Sequence, residues 1–482
     1  MRKLISKMPQ SIRQMAIYGT ALVFTKAMSL LMVPVFTNFL DPADYGRLDV
    51  LQTLANLLSI LIAFGLSESL FRFGGEASSE TTRRKIAAGI FGIAMIIGIF
   101  SLGVTQLAAS LLTNMLPGGV TETQVRLILG SLAFSGIILV PMSWLRMGDR
   151  ALAYTMASAG CALIQALLSA LLLYLGYGIE GVLFSGLLCM ACLALILGYG
   201  HFRDVGIRFQ HALYPKTGHF GGVLICAGIA AFIMDSFPRW ILAGTAGPAD
   251  MAIFALAAKL AMIAGFLTHP FEMWWMPRRF AVLNDTNGLT KCARAAEMGV
   301  VAALAAALLV SATAPAIITF LTPAEYHGAV LYVPALALLM AMNAIIRLFD
   351  IGCLSKANTL SPLAIDSIAA SVACGGYFLA IPVWGAWGAI SVTAIAMTGR
   401  MLAYLIIGHR VKAIPYAFGK LGSLALVTIL SCIWMTVITD NITHVSVGLF
   451  ATSVFILLAL CLGVFPISKF MSPRLNNHVG AS

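Results

Sequence analysis

Apolar residues in this chain gather into runs of about 20 or more, the length of helix that crosses about 30 Å of hydrocarbon. Fourteen runs stand out, at roughly 15–40, 48–71, 86–114, 125–147, 153–176, 179–200, 218–244, 250–276, 294–321, 328–351, 361–381, 385–408, 416–438 and 443–466. Barrel strands would instead alternate over about ten residues. Short turn signals separate the runs: Asp41-Pro42, Pro117-Gly118-Gly119, Gly176-Tyr177-Gly178, Gly247-Pro248 and Thr322-Pro323. The pattern predicts an all-α, polytopic membrane protein of about 14 transmembrane helices with no soluble domain. Pro34 and Pro238 are predicted to bend spans 1 and 7.

Composition agrees with the pattern. With 60% hydrophobic and 10% charged residues, the 482-residue chain has too little polar surface to cover a water-soluble globule. Charge adds an orientation. Of the 30 Lys and Arg residues, 23 fall on one side of the predicted spans, in clusters such as Arg2-Lys3, Arg83-Arg84-Lys85, Arg146 with Arg150, Arg278-Arg279 and Arg410 with Lys412. The other side holds Arg47 and Arg126 among acids such as Asp41, Asp44, Asp49 and Glu122. Cytoplasmic loops retain basic residues, so both termini are predicted inside, and the net charge of +11 needs no nucleic acid to explain it. The first run is too long for a signal-peptide core and is expected to remain as a helix.

The chain also repeats itself. A shift of 206 places Pro42-Ala43-Asp44 on Pro248-Ala249-Asp250, Arg72 on Arg278, Lys85 on Lys291, Pro117 on Pro323 and Arg150 on Lys356. A shift of 207 places Gly178 and Gly181 on Gly385 and Gly388. The constant offset predicts a six-helix lobe over 1–205, a second over 206–411, and a terminal helix pair with its tail over 412–482. Six is even, so both lobes start from the same side, as parallel repeats able to rock about a central cavity.

Ionisable side chains within the spans are the candidate chemistry, because each costs about 2.5–3.5 kcal/mol or more at mid-bilayer unless it meets water, a partner or a substrate. Lys26 lies near the middle of span 1 and Lys259 in span 8; neither has an acid three or four positions away in its own helix. Asp235 with Arg239, and Arg347 with Asp350, have the spacing of pairs along one helix, and Arg347–Asp350 is expected to be a structural ion pair. Asp366 and Arg400 lie in spans 11 and 12; Glu68, Arg72, Glu272, Arg278 and Arg279 are nearer helix ends. Spans 1, 2, 7 and 8 correspond in the two predicted lobes, so the charges collect where a two-lobe transporter would have its cavity.

Several chemistries are not encoded. The Gly-x-x-x-x-Gly-Lys-Ser/Thr phosphate loop and the His-Glu-x-x-His zinc pair are missing, as is a hydrolase or glycosyltransferase set. No enzyme activity, cofactor or metal is expected. Cys189 and Cys192 have redox spacing but lie within an apolar helix, where packing explains them. Among the histidines, His269 is read as the one deep in a span.

Longer passages resemble the polysaccharide-transporter branch of the multidrug/oligosaccharidyl-lipid/polysaccharide exporter (MOP) superfamily, the bacterial lipid-linked oligosaccharide flippases. They are Pro34-Val35-Phe36-Thr37-Asn38-Phe39-Leu40 running on to Tyr45-Gly46; Pro238-Arg239-Trp240 leading to Ala258-Lys259-Leu260 and Trp275-Met276-Pro277; and Leu321-Thr322-Pro323-Ala324-Glu325-Tyr326. The resemblance implies two lobes around a cationic cavity in the bacterial inner membrane. That cavity would hold the pyrophosphate-sugar head of an undecaprenyl-linked oligosaccharide. Carried over residue by residue, the cavity cations would be Lys26, Arg239 and Lys259, with Arg72 near the cytoplasmic mouth; separately from the resemblance, a titratable acid such as Glu68, Asp235, Glu272 or Asp366 is the candidate for coupling transport to protons or sodium. Where the family often has an acid ahead of the arginine, this chain has Pro238. Membrane lipid and a polysaccharide polymerase or co-polymerase are the other expected partners, and a cavity within one chain needs no second subunit. A cation-coupled drug exporter of the same fold and a non-transporting scaffold of a polysaccharide assembly complex are the alternatives.

Overall fold

The protein, seen in a computed structural model, is described over residues 10–63, 65–209, 214–276, 278–355, 360–438 and 441–464. Arg2, Lys3, Lys7, Phe64, Pro277, Lys356, Asp440, Lys469 and Arg474 lie outside the described residues. The described residues are helical almost throughout. In order the helices are α1 (Gln10–Phe39), α2 (Pro42–Ala63), α3 (Leu66–Gly75), α4 (Glu80–Leu107), α5 (Ala109–Met115), α6 (Glu122–Ala133), α7 (Ser135–Met147), α8 (Ala151–Tyr174), α9 (Gly178–Asp204), α10 (Tyr214–Asp235) and α11 (Phe237–Thr245). There follow α12 (Pro248–Trp275), α13 (Arg279–Leu283), α14 (Gly288–Leu321), a 3-10 helix (Ala324–Leu331), α15 (Val333–Phe349), α16 (Ile351–Leu354), α17 (Leu360–Val411), α18 (Phe418–Val437) and α19 (Asn441–Cys461).

Twelve of these stretches are long and apolar enough to cross a membrane, and α10 with α11, bent by 41° at their junction, make a thirteenth. The 52-residue α17 is two helices joined at Gly385, whose φ of 54° and ψ of −131° are not helical. Counted as two spans, α17 brings the described total to the fourteen predicted. One predicted edge moves: residues 328–331, assigned to span 10, belong to the 3-10 helix, and the α-helix begins at Val333.

The matched positions of the sequence repeat have matched local structure. Both α2 and α12 open on the proline of Pro-Ala-Asp, with Asp44 and Asp250 in their first turns. Proline suits that place because the first helical N–H groups have no partner to lose. Gly178 has φ of 53° and Gly385 of 54°. A side chain at either position would be strained, so the repeated glycine is a requirement of the turn.

Packing divides the chain into two units: Met1–Leu256 with Leu321–Tyr326 and Asp366–Thr393, and Ala257–Phe320 with His327–Ile365 and Ala394–Ser482. In the first, α8 packs on α1 and α9, and α3, α4 and α7 close around Leu66, Leu70, Ile90, Phe91, Val140 and Trp144. In the second, α14 is rich in alanine, and small residues let backbones approach: a Cβ on Gly352 would lie 2.8 Å from Cα of Gly408. Large apolar side chains such as Leu107, Phe320 and Leu379 remain exposed, as a lipid-facing surface requires.

Same-side residues also meet within the first unit. Arg84 and Arg150 both reach Asp204, which accepts a 3.1 Å hydrogen bond from Trp144, while Arg47 pairs with Asp44 and donates to the Gly118 carbonyl at 3.0 Å. We expect Gly385→Ala to lower stability by about 1–3 kcal/mol, the cost of a side chain in a glycine-only conformation. Gly399→Ala, in the same helix with open space around its Cβ, should be close to neutral. Thermal unfolding of the two purified variants in detergent checks the contrast.

Candidate functional site

The junction of α10 and α11 organises the first unit's charges. Pro238 has no N–H to give the carbonyl of Met234, four residues earlier, and the Tyr377 hydroxyl donates to that carbonyl instead, at 3.4 Å. The bend falls at Ser236, two residues before Pro238, and leaves the proline in the first turn of α11. Phe232, Phe237, Trp240 and Phe378 pack edge to face around the break, at 5.6 to 6.5 Å between centroids. Pro34, by contrast, sits inside α1 without interrupting it.

Because of that bend, Asp235 and Arg239 no longer share one helical face. Arg239 reaches across to α2, where its Nη1 donates to Asp49 at 3.0 and 3.3 Å. Asp49 is 1% exposed and the Arg239 side chain 15%. Next to them, Trp240 donates to the Val50 carbonyl at 3.2 Å, so two adjacent residues of α11 grip two adjacent residues of α2. Asp235 itself is exposed. In the sequence Asp49 stands among the acids on the side opposite the basic clusters, at the start of predicted span 2. Its position within α2, between Leu48 and Val50, was the signal that it is a buried partner.

The second unit shows the same exchange. Arg347 and Asp350 are expected to pair with each other, but each takes a partner from another segment. Arg347 donates to Glu272 of α12 at 2.7 Å, and Arg279 to Asp350 at 2.6 Å. Arg279, a helix-end charge at the start of α13, is also a half-buried ion-pair member. His269 is half-exposed and lies 3.8 Å from Glu272. The buried histidines among the described residues are His201, packed against Phe91 and Trp144, and His444, each three residues from an end of its helix.

The other candidates occupy varied environments. Lys26 is exposed on α1 and Lys259 half-buried on α12. Glu68 and Arg72 are exposed one turn apart on α3, and Arg72 lies 3.8 Å from Glu76. Asp366 is half-buried in α17.

A family model described as "Polysaccharide biosynthesis protein" matches residues 11–280, more than half of the chain, and takes in α1 to α12 with the Asp49–Arg239 pair. The chain belongs to the polysaccharide biosynthesis protein family. No curated protein matches the sequence. Among solved structures, the lipid II flippase MurJ in an inward closed conformation superposes with a TM-score of 0.71 at 12% identity, over 93% of this chain and 99% of that one. An outward-facing multidrug resistance MATE transporter of the MOP superfamily gives 0.55 at 12% identity, over 85% and 98%. A MOP superfamily transporter from Pyrococcus furiosus gives 0.52 at 14% identity, over 83% and 93%. At such identities the likeness is one of fold: this family member is an all-α, multi-pass membrane protein with the architecture of MurJ and MATE transporters.

Removing one member of a buried pair strands the other charge, at a cost of about 3–5 kcal/mol. Arg239→Ala and Asp49→Ala should each destabilise by about that much. Arg239→Ala with Asp49→Ala together should cost less than the sum of the two single changes, and wild type, the two single variants and the double variant make a double-mutant cycle by chemical unfolding in detergent. A coupling energy near zero would contradict the pair.

Proposed function

We propose that this protein is a flippase that moves an undecaprenyl-pyrophosphate-linked oligosaccharide repeat unit from the cytoplasmic to the periplasmic leaflet of a bacterial inner membrane, by alternating access. One observation carries the reading: a member of a polysaccharide biosynthesis family is built almost entirely of membrane-spanning helices, on the fold of a lipid II flippase. A family devoted to surface polymers needs a step that carries a large anionic headgroup through hydrocarbon, and a helical transporter fold suits that step. The two predicted lobes, 1–205 and 206–411, would rock about the headgroup, with residues 412–482 beside them.

Lys26, Lys259 and Arg72 are the cations we assign to the headgroup. A diphosphate carries about two negative charges, and in a partly dry cavity a single cation leaves it under-compensated. Arg239 is held by Asp49 in the present conformation, so we assign it to the substrate only in a state where that pair opens. One of the acids Glu68, Asp235, Glu272 or Asp366 would couple the cycle to a proton or sodium gradient, Glu272 only in a state where its pair with Arg347 opens. Dissipating each gradient separately tests this, and delivery unaffected by either treatment excludes such coupling. We further propose that both termini are cytoplasmic, that the protein works as a monomer, and that a polysaccharide polymerase or co-polymerase receives its product.

The decisive experiment follows periplasmic delivery of lipid-linked repeat units in cells lacking the protein, complemented by wild type or by Lys26→Ala with Lys259→Ala at equal abundance. We expect the double variant to lose most delivery, at least about tenfold, with lipid-linked units accumulating in the cytoplasmic leaflet; each 1.4 kcal/mol of lost headgroup binding is a factor of ten. Normal delivery would favour the drug exporter or the scaffold.

A further inference from the structure

The second unit holds a cavity of about 410 Å³ that the transport reading does not use, where α17 gives way to α18. Of its lining, Phe349, Tyr404 and Tyr416 are buried or half-buried, and His409, Arg410, Lys412 and Phe418 are exposed at its mouth. The aromatic part is firmly built. Phe349 and Tyr416 meet edge to face at 4.8 Å, Tyr416 and Phe418 at 5.7 Å, and the close approach of Gly352 to Gly408 holds α16 against α17 behind them. The connection 412–417 is a ribbon of two-residue turns, in which Ile414 donates to the Lys412 carbonyl, Tyr416 to that of Ile414 and Phe418 to that of Tyr416, at 2.9 to 3.0 Å. Glu297 fastens it by accepting from the Ala417 N–H at 3.1 Å. Burial pushes the Tyr416 phenol far above its usual range, so this lining stays uncharged.

Two features specify an occupant. The spans on either side end at Val411 and begin at Phe418, so the mouth lies at the edge of the hydrocarbon, where lipid phosphates lie. There Arg410 and Lys412 are exposed, and neither side chain has an acidic partner among the described residues. Ile406 and Phe418, 55% and 52% exposed, continue the lining outward along the lipid-facing surface. An apolar slot would accept any hydrocarbon and a pair of cations any anion. Together they fit a molecule that has both parts in this order.

We propose that this cavity binds an anionic phospholipid of the surrounding bilayer, its phosphate between Arg410 and Lys412 and an acyl chain along Phe418 and Ile406. Such a site would make the junction of α17 and α18 sensitive to lipid composition, whatever the protein transports. Basic residues at a membrane surface each favour anionic lipid, and two together amount to about thirtyfold.

Native mass spectrometry of the full-length protein in detergent tests this, with phosphatidylglycerol and phosphatidylcholine of identical chains as probes. We expect retention of phosphatidylglycerol over phosphatidylcholine, about thirtyfold weaker in Arg410→Gln with Lys412→Gln, and preserved in Arg410→Lys with Lys412→Arg, which keeps the charge. Equal retention of the two lipids by wild type would overturn the proposal, as would undiminished phosphatidylglycerol binding by the glutamine variant. Displacement of the lipid by millimolar inorganic phosphate would identify a free-anion site and overturn it equally.

Discussion

A full charge within an apolar helical bundle must be met by another charge, by water or by a ligand, because hydrocarbon offers nothing else. Much of this structure follows from how that demand is satisfied. Asp49 with Arg239, Glu272 with Arg347 and Asp350 with Arg279 each join residues distant in sequence. In lipid there is little hydrophobic force between helices, so packing of small residues and polar links of this kind decide which helices associate. Each link also carries a liability, since losing one partner leaves the other charge stranded.

Where a pair forms depends on the backbone beside it. The break at Ser236 turns α11 so that Arg239 faces α2, and the carbonyl that Pro238 leaves without its usual donor accepts from Tyr377 of α17. Arg279 starts the short α13, from which its guanidinium reaches Asp350. Helix interruptions in membranes persist when neighbours take up the freed groups. Here they also set the charge pairing. For a transporter, pairs between helices are natural points of switching: a substrate anion that competes with Asp49 for Arg239 would exchange one satisfied state for another.

Fold class and spans were legible in the sequence because bilayer thickness imposes a length, and lipid imposes an apolar composition, on every segment that crosses. Even the division of α17 was legible, since Gly385 repeats Gly178 at a fixed offset and both glycines adopt positive φ. The charged residues were legible as exceptional, because any charge in such a segment is. Their partners were not. Spacing along a single helix suggested Asp235–Arg239 and Arg347–Asp350; the first helix breaks between the two residues, and in the second each side chain meets a partner from another segment.

The sequence by itself therefore determined that this is an all-α membrane protein, roughly where each helix begins and ends, and which side chains cannot be left alone in lipid. These are local consequences of hydropathy, proline and glycine. Tertiary structure decided that Asp49 is a buried anion paired across helices, that the helix-end Arg279 belongs to an ion pair, and that His201 and His444 are buried while His269 is half-exposed. Those outcomes depend on which helix faces which and on the bend of each, and a charge finds its counter-charge by distance in space, which one-dimensional spacing does not contain.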